Sequence, residues 1–383
     1  MSKLSWLGLV FLFFFYPLQS VKCHVDVRVL LLDDFTGTFS VVLESDGGFR
    51  LFDPELDSSK TVPEKSLKLQ VQKGRIFVNG RRLRNRDIQI EPVAGDTRLG
   101  ENCYQGIFRL VVRKERAYLI NRLDVEAYLK SVLRWESWPG WPVEVNRALA
   151  VACRTYVINK VLKARRRTES LWDIGSTQAH QVYKGIDAQS ERLVQPIADT
   201  AGVVLVDSQN KVIEALYCAC CGGCTPAWIS GVHFNKARYL KRQYACKFCL
   251  KTIDALWQVT KSLAIFKPLL GRKKHLTVTD LRVGRDKAGF IRRLQIKTAD
   301  GVWHTIKAAS LIKQIPDIRS LNCAVTVSTA RGVVTFKGRG RGHGLGLCQW
   351  GAFGMAVEGY SWEEILAFYY PKTALAPVEV LPS

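Results

Sequence analysis

The stretch that most constrains this chain is Asp124 to Lys160, DVEAYLKSVLRWESWPGWPVEVNRALAVACRTYVINK. Its spacing predicts two helices joined by a Trp/Pro elbow. Asp124 suits an N-cap, because its carboxylate can accept otherwise unpaired N–H groups. Val125, Tyr128, Leu129, Val132 and Leu133 then form one stripe of a 3.6-residue repeat. The next position on that stripe is Glu136, beside Trp135, Trp138 and Trp141. Apolar surroundings disfavour a charged carboxyl and raise its pKa, which would make Glu136 a proton donor near neutrality. The competing reading is a frayed, solvated helix end. In the second helix, which Pro142 would open, Ala148 to Cys153 are all small or apolar, as in a helix buried nearly all round. Arg154 interrupts them, and a buried guanidinium needs an anion. Glu136 or a substrate carboxylate would serve, with a purely structural ion pair as the alternative.

Elsewhere the pattern is mostly strand. VRVLLL at 27–32, FSVVLE at 39–44, LKLQVQ at 67–72 and RIFVNG at 75–80 alternate or are apolar. Asp46-Gly47-Gly48 and Lys73-Gly74 read as hairpin turns between them. The Arg81–Arg86 run reads as an exposed edge. Further strands at 108–113 and 117–121 lead into the Glu136 helix, and strand patterns return from 276 to 334. Ser361 with Glu364 is a capping box opening a last helix that stops at Pro371. The fold class expected is therefore α+β: mostly antiparallel sheets with a buried helix pair carrying Glu136 and a C-terminal helix. A β-rich region at 24–95 would precede the main domain at 96–375.

The segment GRGRGHGLGL carries glycine at 338, 340, 342, 344 and 346. Alternation would put these glycines on one bare face of an extended strand, open to another backbone or a polymer. Arg341 and His343 would face the other way. No register gives a phosphate-binding fingerprint. Gln349 and Trp350 open a small-residue helix; an amide and an aromatic ring suit a glycan groove, and tight packing of the glycine strand on the core is the plainer alternative.

These segments resemble the SpoIID/LytB family, named from sporulation stage II protein D and the amidase enhancer LytB. The resemblance rests on LDVEAYLKSVL, Glu136, RALAVACRTY, QVYKG at 181–185, CGGCT at 221–225 and GRGRGHGLGLCQWGAFGMA at 338–356. It implies that Glu136 is the acid of a lytic transglycosylase cutting peptidoglycan, preferentially glycan strands stripped of their peptides. By their own chemistry, Arg154 is a second catalytic candidate in a basic groove, Arg341, His343, Gln349 and Trp350 are sugar-contact candidates, and Gln181 and Tyr183 suit either sugar contact or a buried strand. The second function the resemblance implies is a non-catalytic, wall-binding enhancer of an amidase that removes the stem peptides. Many members of the family hold zinc with His and Cys just before the tyrosine of QVYKG. Here only His180 remains, and one ligand cannot hold a structural zinc.

Six cysteines crowd 218–249: Cys218, Cys220, Cys221, Cys224, Cys246 and Cys249. The pairs Cys221/Cys224 and Cys246/Cys249 have zinc-ribbon spacing. Disulfides compete in an exported protein, and free thiols are a third reading, so no metal ligand and no cofactor is assigned.

Export is expected because Met1 to Cys23 reads as a secretory signal: Lys3, an apolar run from Leu4 to Tyr16, then Pro17 to Ser20. It is short for a spanning helix. An uncleaved segment would be the one membrane attachment. The expected location is the periplasm or cell envelope. Among 383 residues, 56 Lys and Arg against 34 Asp and Glu leave a net charge of +22. Such a surplus favours an acidic partner, and with an export signal that partner is expected to be wall glycan, not nucleic acid.

Overall fold

The computed structural model describes residues 25–378 except 35–37, 55–57 and 187–189. The expected signal segment at 1–23 lies outside the described residues. Six helices carry the description below: α1 (Val125–Glu136), α2 (Val143–Arg165), α3 (Glu191–Asp199), α4 (Ala309–Gln314), α5 (Gln349–Val357) and α6 (Trp362–Tyr369). The rest is chiefly antiparallel sheet, so the expected α+β class holds. No described helix is long and apolar enough to cross a membrane.

Two sheets occupy the first third. A seven-stranded sheet runs 174–175, 26–34, 116–124, 107–113, 87–92, 49–53, 58–62. A six-stranded sheet runs 102–104, 97–99, 40–44, 66–72, 75–78, 81–82. Strands from both sides of residue 95 pair within each sheet, as in Leu110 opposite Ile88 and Leu43 opposite Leu99. Lys73-Gly74 makes the expected hairpin turn, with both residues at positive φ and Gln72 opposite Arg75. The turn at 46–48 is different. It joins strands 40–44 and 49–53, which lie in different sheets, so it is a crossing point and not a hairpin. Arg81–Arg82 is the exposed edge strand of the smaller sheet.

Strand 116–124 feeds directly into α1. Asp124 caps it, its side chain accepting from the Glu126 N–H at 2.8 Å. The apolar stripe is buried against α2. The elbow is fixed by a turn, Trp141 N–H to Trp138 O at 2.9 Å, and by Ser137 donating to Asn146. Every residue of α2 from Ala148 to Asn159 is buried, as small residues with little polar surface allow. Pro142 stands just before its first turn as the N-cap. The capping box at Ser361/Glu364 starts α6.

One core runs from Val27 to Tyr370. A second is built only from residues between Trp257 and Phe336. It holds two three-stranded antiparallel sheets, 256–262/333–339/323–328 and 278–285/291–298/303–307, together with α4.

The glycine-rich segment departs from the expected strand. Extended pairing stops at Arg339. Gly340, Gly342, Gly344 and Gly346 all take positive φ, between 64° and 105°. Alternate left-handed residues coil the chain, so the glycines share no flat face. The close approach expected of them is real, and its occupant is the chain's own 216–226 segment. A Cβ at Gly346 would lie 1.8 Å from Leu216 O, and one at Gly340 2.5 Å from Cys220 O.

Candidate active site

Glu136 ends α1 with its carboxyl in a cavity of about 570 Å³. The walls come from four places: Trp135 and Glu136 on α1 with Tyr156 on α2, residues 178–180 and 182, residues 216–219, and Arg341 to His343 with Gln349. Glu136 is the one carboxylate among the described lining residues. Burial raises its pKa from 4.5 to about 7, against the opposing pull of hydrogen bonds from the Val182 N–H and the Tyr217 hydroxyl. Those donors aim the carboxyl, and no cation neutralises it in the described structure. Its backbone is held as well: Gln349 Nε2 donates to Glu136 O at 2.8 Å. Gln349 thus ties the end of α1 to the start of α5. The apolar setting comes from fewer tryptophans than expected. Trp135 lines the cavity, Trp138 is 61% exposed, and Trp141 packs on Trp350 and Phe353.

Of the other sequence candidates, Arg341, His343 and Gln349 line the same cavity. Arg341 is well exposed and only loosely paired, 3.8 Å from Asp254. His343, which the solvent reaches, accepts from the Leu345 N–H at 3.1 Å.

Arg154, Gln181, Tyr183 and Trp350 are not brought to the cavity lining. Arg154 is fully buried and makes a two-pronged ion pair with Glu126, Nε to Oε1 at 2.7 Å and Nη2 to Oε2 at 2.8 Å. It also donates to the carbonyls of Ile197 and Val203. Its anion is therefore neither Glu136 nor a ligand, and its role is structural. Tyr183 donates to Asn121 Oδ1 at 2.7 Å and packs between Tyr128 and Tyr104. Trp350 donates to Asp254 and stacks with Trp141. Gln181 is buried but acts on the site at one remove. It accepts from Tyr128, and its Nε2 donates to Cys153 O and Tyr217 Oη. The Tyr217 hydroxyl so placed pulls the Glu136 pKa down against the effect of burial.

Sequence reasoning missed Tyr217 and Tyr156 as lining residues. Nothing near Tyr217 marks it, because the partner it serves is far along the chain. His180, the leftover of an expected zinc set, is a wall residue whose Nδ1 lies 3.2 Å from the Tyr156 hydroxyl. Cys218 also reaches the wall, but burial pushes its thiol well above the usual range, so it is no nucleophile.

The cysteines pair differently from the two CxxC motifs. Cys221, Cys246 and Cys249 gather with Cys348, all buried, their sulfurs within 4.8 Å of one another. Cys224 stands apart, its sulfur accepting from Asn322 Nδ2 at 3.1 Å. Where the sequence assigned no metal ligands, the fold assembles four thiols in one place.

The chain is similar to several known proteins. Residues 113–206, which include α1, α2 and α3, match the family model described as Stage II sporulation protein. An uncharacterized protein of Brachyspira hyodysenteriae is 29% identical over 269 residues, 70% of each chain. The Stage II sporulation protein D of Bacillus subtilis is 25% identical over 283 residues, 68% of this chain and 76% of that one. The amidase enhancer of Bacillus subtilis is 28% identical over 293 residues, 64% of this chain but 40% of the enhancer's own length. The helix pair and Glu136 thus lie in the segment that is similar to the Stage II sporulation protein family, and the glycine-rich segment meets them at one cavity.

Proposed function

We propose that this protein cuts peptidoglycan glycan strands as a lytic transglycosylase, with Glu136 as both acid and base. The observation that carries the reading is a single carboxyl, raised to about 7, in a cavity whose described walls hold no second one. Ordinary glycoside hydrolysis uses two carboxylates, one to protonate the leaving oxygen and one to activate water or attack. A muramic acid residue supplies its own nucleophile. Protonated Glu136 gives its proton to the glycosidic oxygen as the C1–O bond breaks, and the released sugar keeps that proton as its 4-hydroxyl. The muramic acid 6-hydroxyl oxygen then bonds to C1, and its proton returns to the Glu136 carboxylate. The product is a 1,6-anhydro end, the enzyme is restored, and no water is consumed. Holding the 6-hydroxyl on the same ring replaces a bimolecular step by an intramolecular one.

The surrounding groups suit that cycle. Tyr217 and the Val182 N–H stabilise the carboxylate when it forms, while burial favours the acid at the start. Exposed Arg341 offers a cation to the lactyl carboxylate that is freed when stem peptides are removed. The export-type N-terminus and net charge of +22 fit work on wall glycan outside the cytoplasmic membrane. The relative named amidase enhancer supports a second reading, in which the same cavity binds denuded strands and assists an amidase without cutting.

The test is mass spectrometry of denuded glycan strands after incubation with the purified protein and with Glu136→Gln. Anhydro-muramic ends that vanish in the variant are the expected result. Reducing ends would mean hydrolysis. Strands bound but uncut, with amidase stimulation unchanged in the variant, would favour the enhancer.

A further inference from the structure

The four gathered cysteines come from three distant segments. Cys221 lies just after strand 217–218, Cys246 and Cys249 on the loop at 246–250, and Cys348 at the N-cap of α5. The Sγ atoms of Cys221 and Cys249 are 3.7 Å apart. Zinc–sulfur bonds of about 2.3 Å place tetrahedral ligands about 3.8 Å from one another. A disulfide needs about 2.05 Å. The Cys221–Cys249 spacing is therefore that of two ligands on one ion, and all four sulfurs lie within 4.8 Å of one another.

The surroundings are built for thiolates. The N–H groups of Cys221 and Gly351 both donate to Cys348 Sγ, at 3.2 and 3.3 Å. Arg242 Nη1 donates to Cys221 Sγ at 3.2 Å, and the Tyr369 hydroxyl lies 3.2 Å from Cys246 Sγ. Arg242 is itself only 9% exposed, and its Nη2 has no hydrogen-bond partner among the described residues. A buried guanidinium needs compensating negative charge, and neutral thiols supply none. Gly351 completes the fit, since a Cβ there would lie 2.8 Å from Cys246 Sγ and 2.0 Å from the Tyr369 oxygen.

We propose that Cys221, Cys246, Cys249 and Cys348 hold one zinc ion as a tetrathiolate. Binding releases four thiol protons to solvent and leaves the centre with a net charge of −2, which Arg242 and the N–H donors offset. Four soft thiolate ligands that leave no open position describe a structural site. Its place explains its use. Cys348 adjoins Gln349, which holds the Glu136 backbone, and Cys221 adjoins Cys220, which bonds the Arg341 backbone in both directions. The ion ties the glycine-rich segment and the 216–226 segment together behind the cavity. This assignment is independent of what the cavity binds.

The test begins with metal analysis of the whole protein purified under reducing conditions. One zinc per chain is expected, with four thiols shielded from alkylation until a mercurial releases the ion. Cobalt substitution should give the charge-transfer and intense visible bands of a tetrahedral tetrathiolate. Cys246→Ser with Cys249→Ser should abolish binding, while Cys224→Ser should keep one zinc. Should the double variant fail to fold, the cobalt spectrum of the unaltered protein decides on its own. A chain without zinc, zinc retained in the double variant, or peptides linked as Cys221–Cys249 or Cys246–Cys348 disulfides in a non-reducing map would overturn the proposal.

Discussion

The two ends of α1 each carry a glutamate, and they meet opposite fates. Glu126, in the first turn, faces Arg154, two parallel hydrogen bonds and the Gly202 N–H. Glu136, in the last turn, meets burial, a backbone N–H and a tyrosine hydroxyl, without a cation. The first carboxylate is held by a guanidinium and stitches α1 to α2 and α3. The second is kept near the point where it can hold or release a proton at neutral pH. Residue type and helix are shared, so chemistry is decided by the partner. A carboxylate that has found its guanidinium serves the fold; one that is buried without it titrates near neutrality.

The sharpest way to break this contrast is Glu136→Gln. Glycan cleavage should fall ~10²–10⁴-fold, the usual worth of a placed acid–base group. The same variant should gain stability above neutral pH. In the folded protein Glu136 holds its proton up to about 7, whereas in the unfolded chain it ionises near 4.5. Stability therefore declines as pH rises through that window and levels off above it, by roughly 3 kcal/mol at most. Denaturant melts at pH 5 and pH 8 should show this decline in the parent protein and not in Glu136→Gln. Glu126→Gln should act the other way. It strands a buried guanidinium and costs about 3 kcal/mol, while the pH profile of whatever activity survives keeps its midpoint. A profile that moved with Glu126 would erase the distinction between the two ends.

A smaller effect sharpens it. Cleavage should decline as pH rises through about 7, because the proton donor is lost. Tyr217→Phe removes a donor to the carboxylate, about 1 kcal/mol of anion stabilisation, so the midpoint should rise by somewhat less than a pH unit. A fall would contradict the hydrogen bond. Smallest is Arg341→Ala, an exposed charge worth ~0.5–1 kcal/mol. It should weaken glycan binding a few-fold at low salt and hardly at all at high salt.

The helix pair was legible in the sequence because its signals are local: a cap at Asp124, one unbroken apolar stripe, and Glu136 next on that stripe. Arg154 was legible as buried but not as partnered, since Glu126 lies off the stripe and looks like any first-turn acid. The glycine alternation misled because a two-residue period is shared by an extended strand and by a coil with every second residue left-handed. Only the close packing of 216–226 selects the coil. Tyr217 and the gathering of Cys348 with Cys221 depend on contacts between remote segments, which no local pattern encodes.

The second core has a consequence for how such a molecule can diversify. Its chain leaves the main body after Cys249 and re-enters near Gly340, and the two crossings lie side by side, with Leu256 paired to Arg339. A unit whose entry and exit coincide can be lengthened, recut or exchanged without altering the spacing of what it interrupts. Recombination at these adjoining crossings could therefore remodel the appendage while Glu136 and its neighbours keep their register.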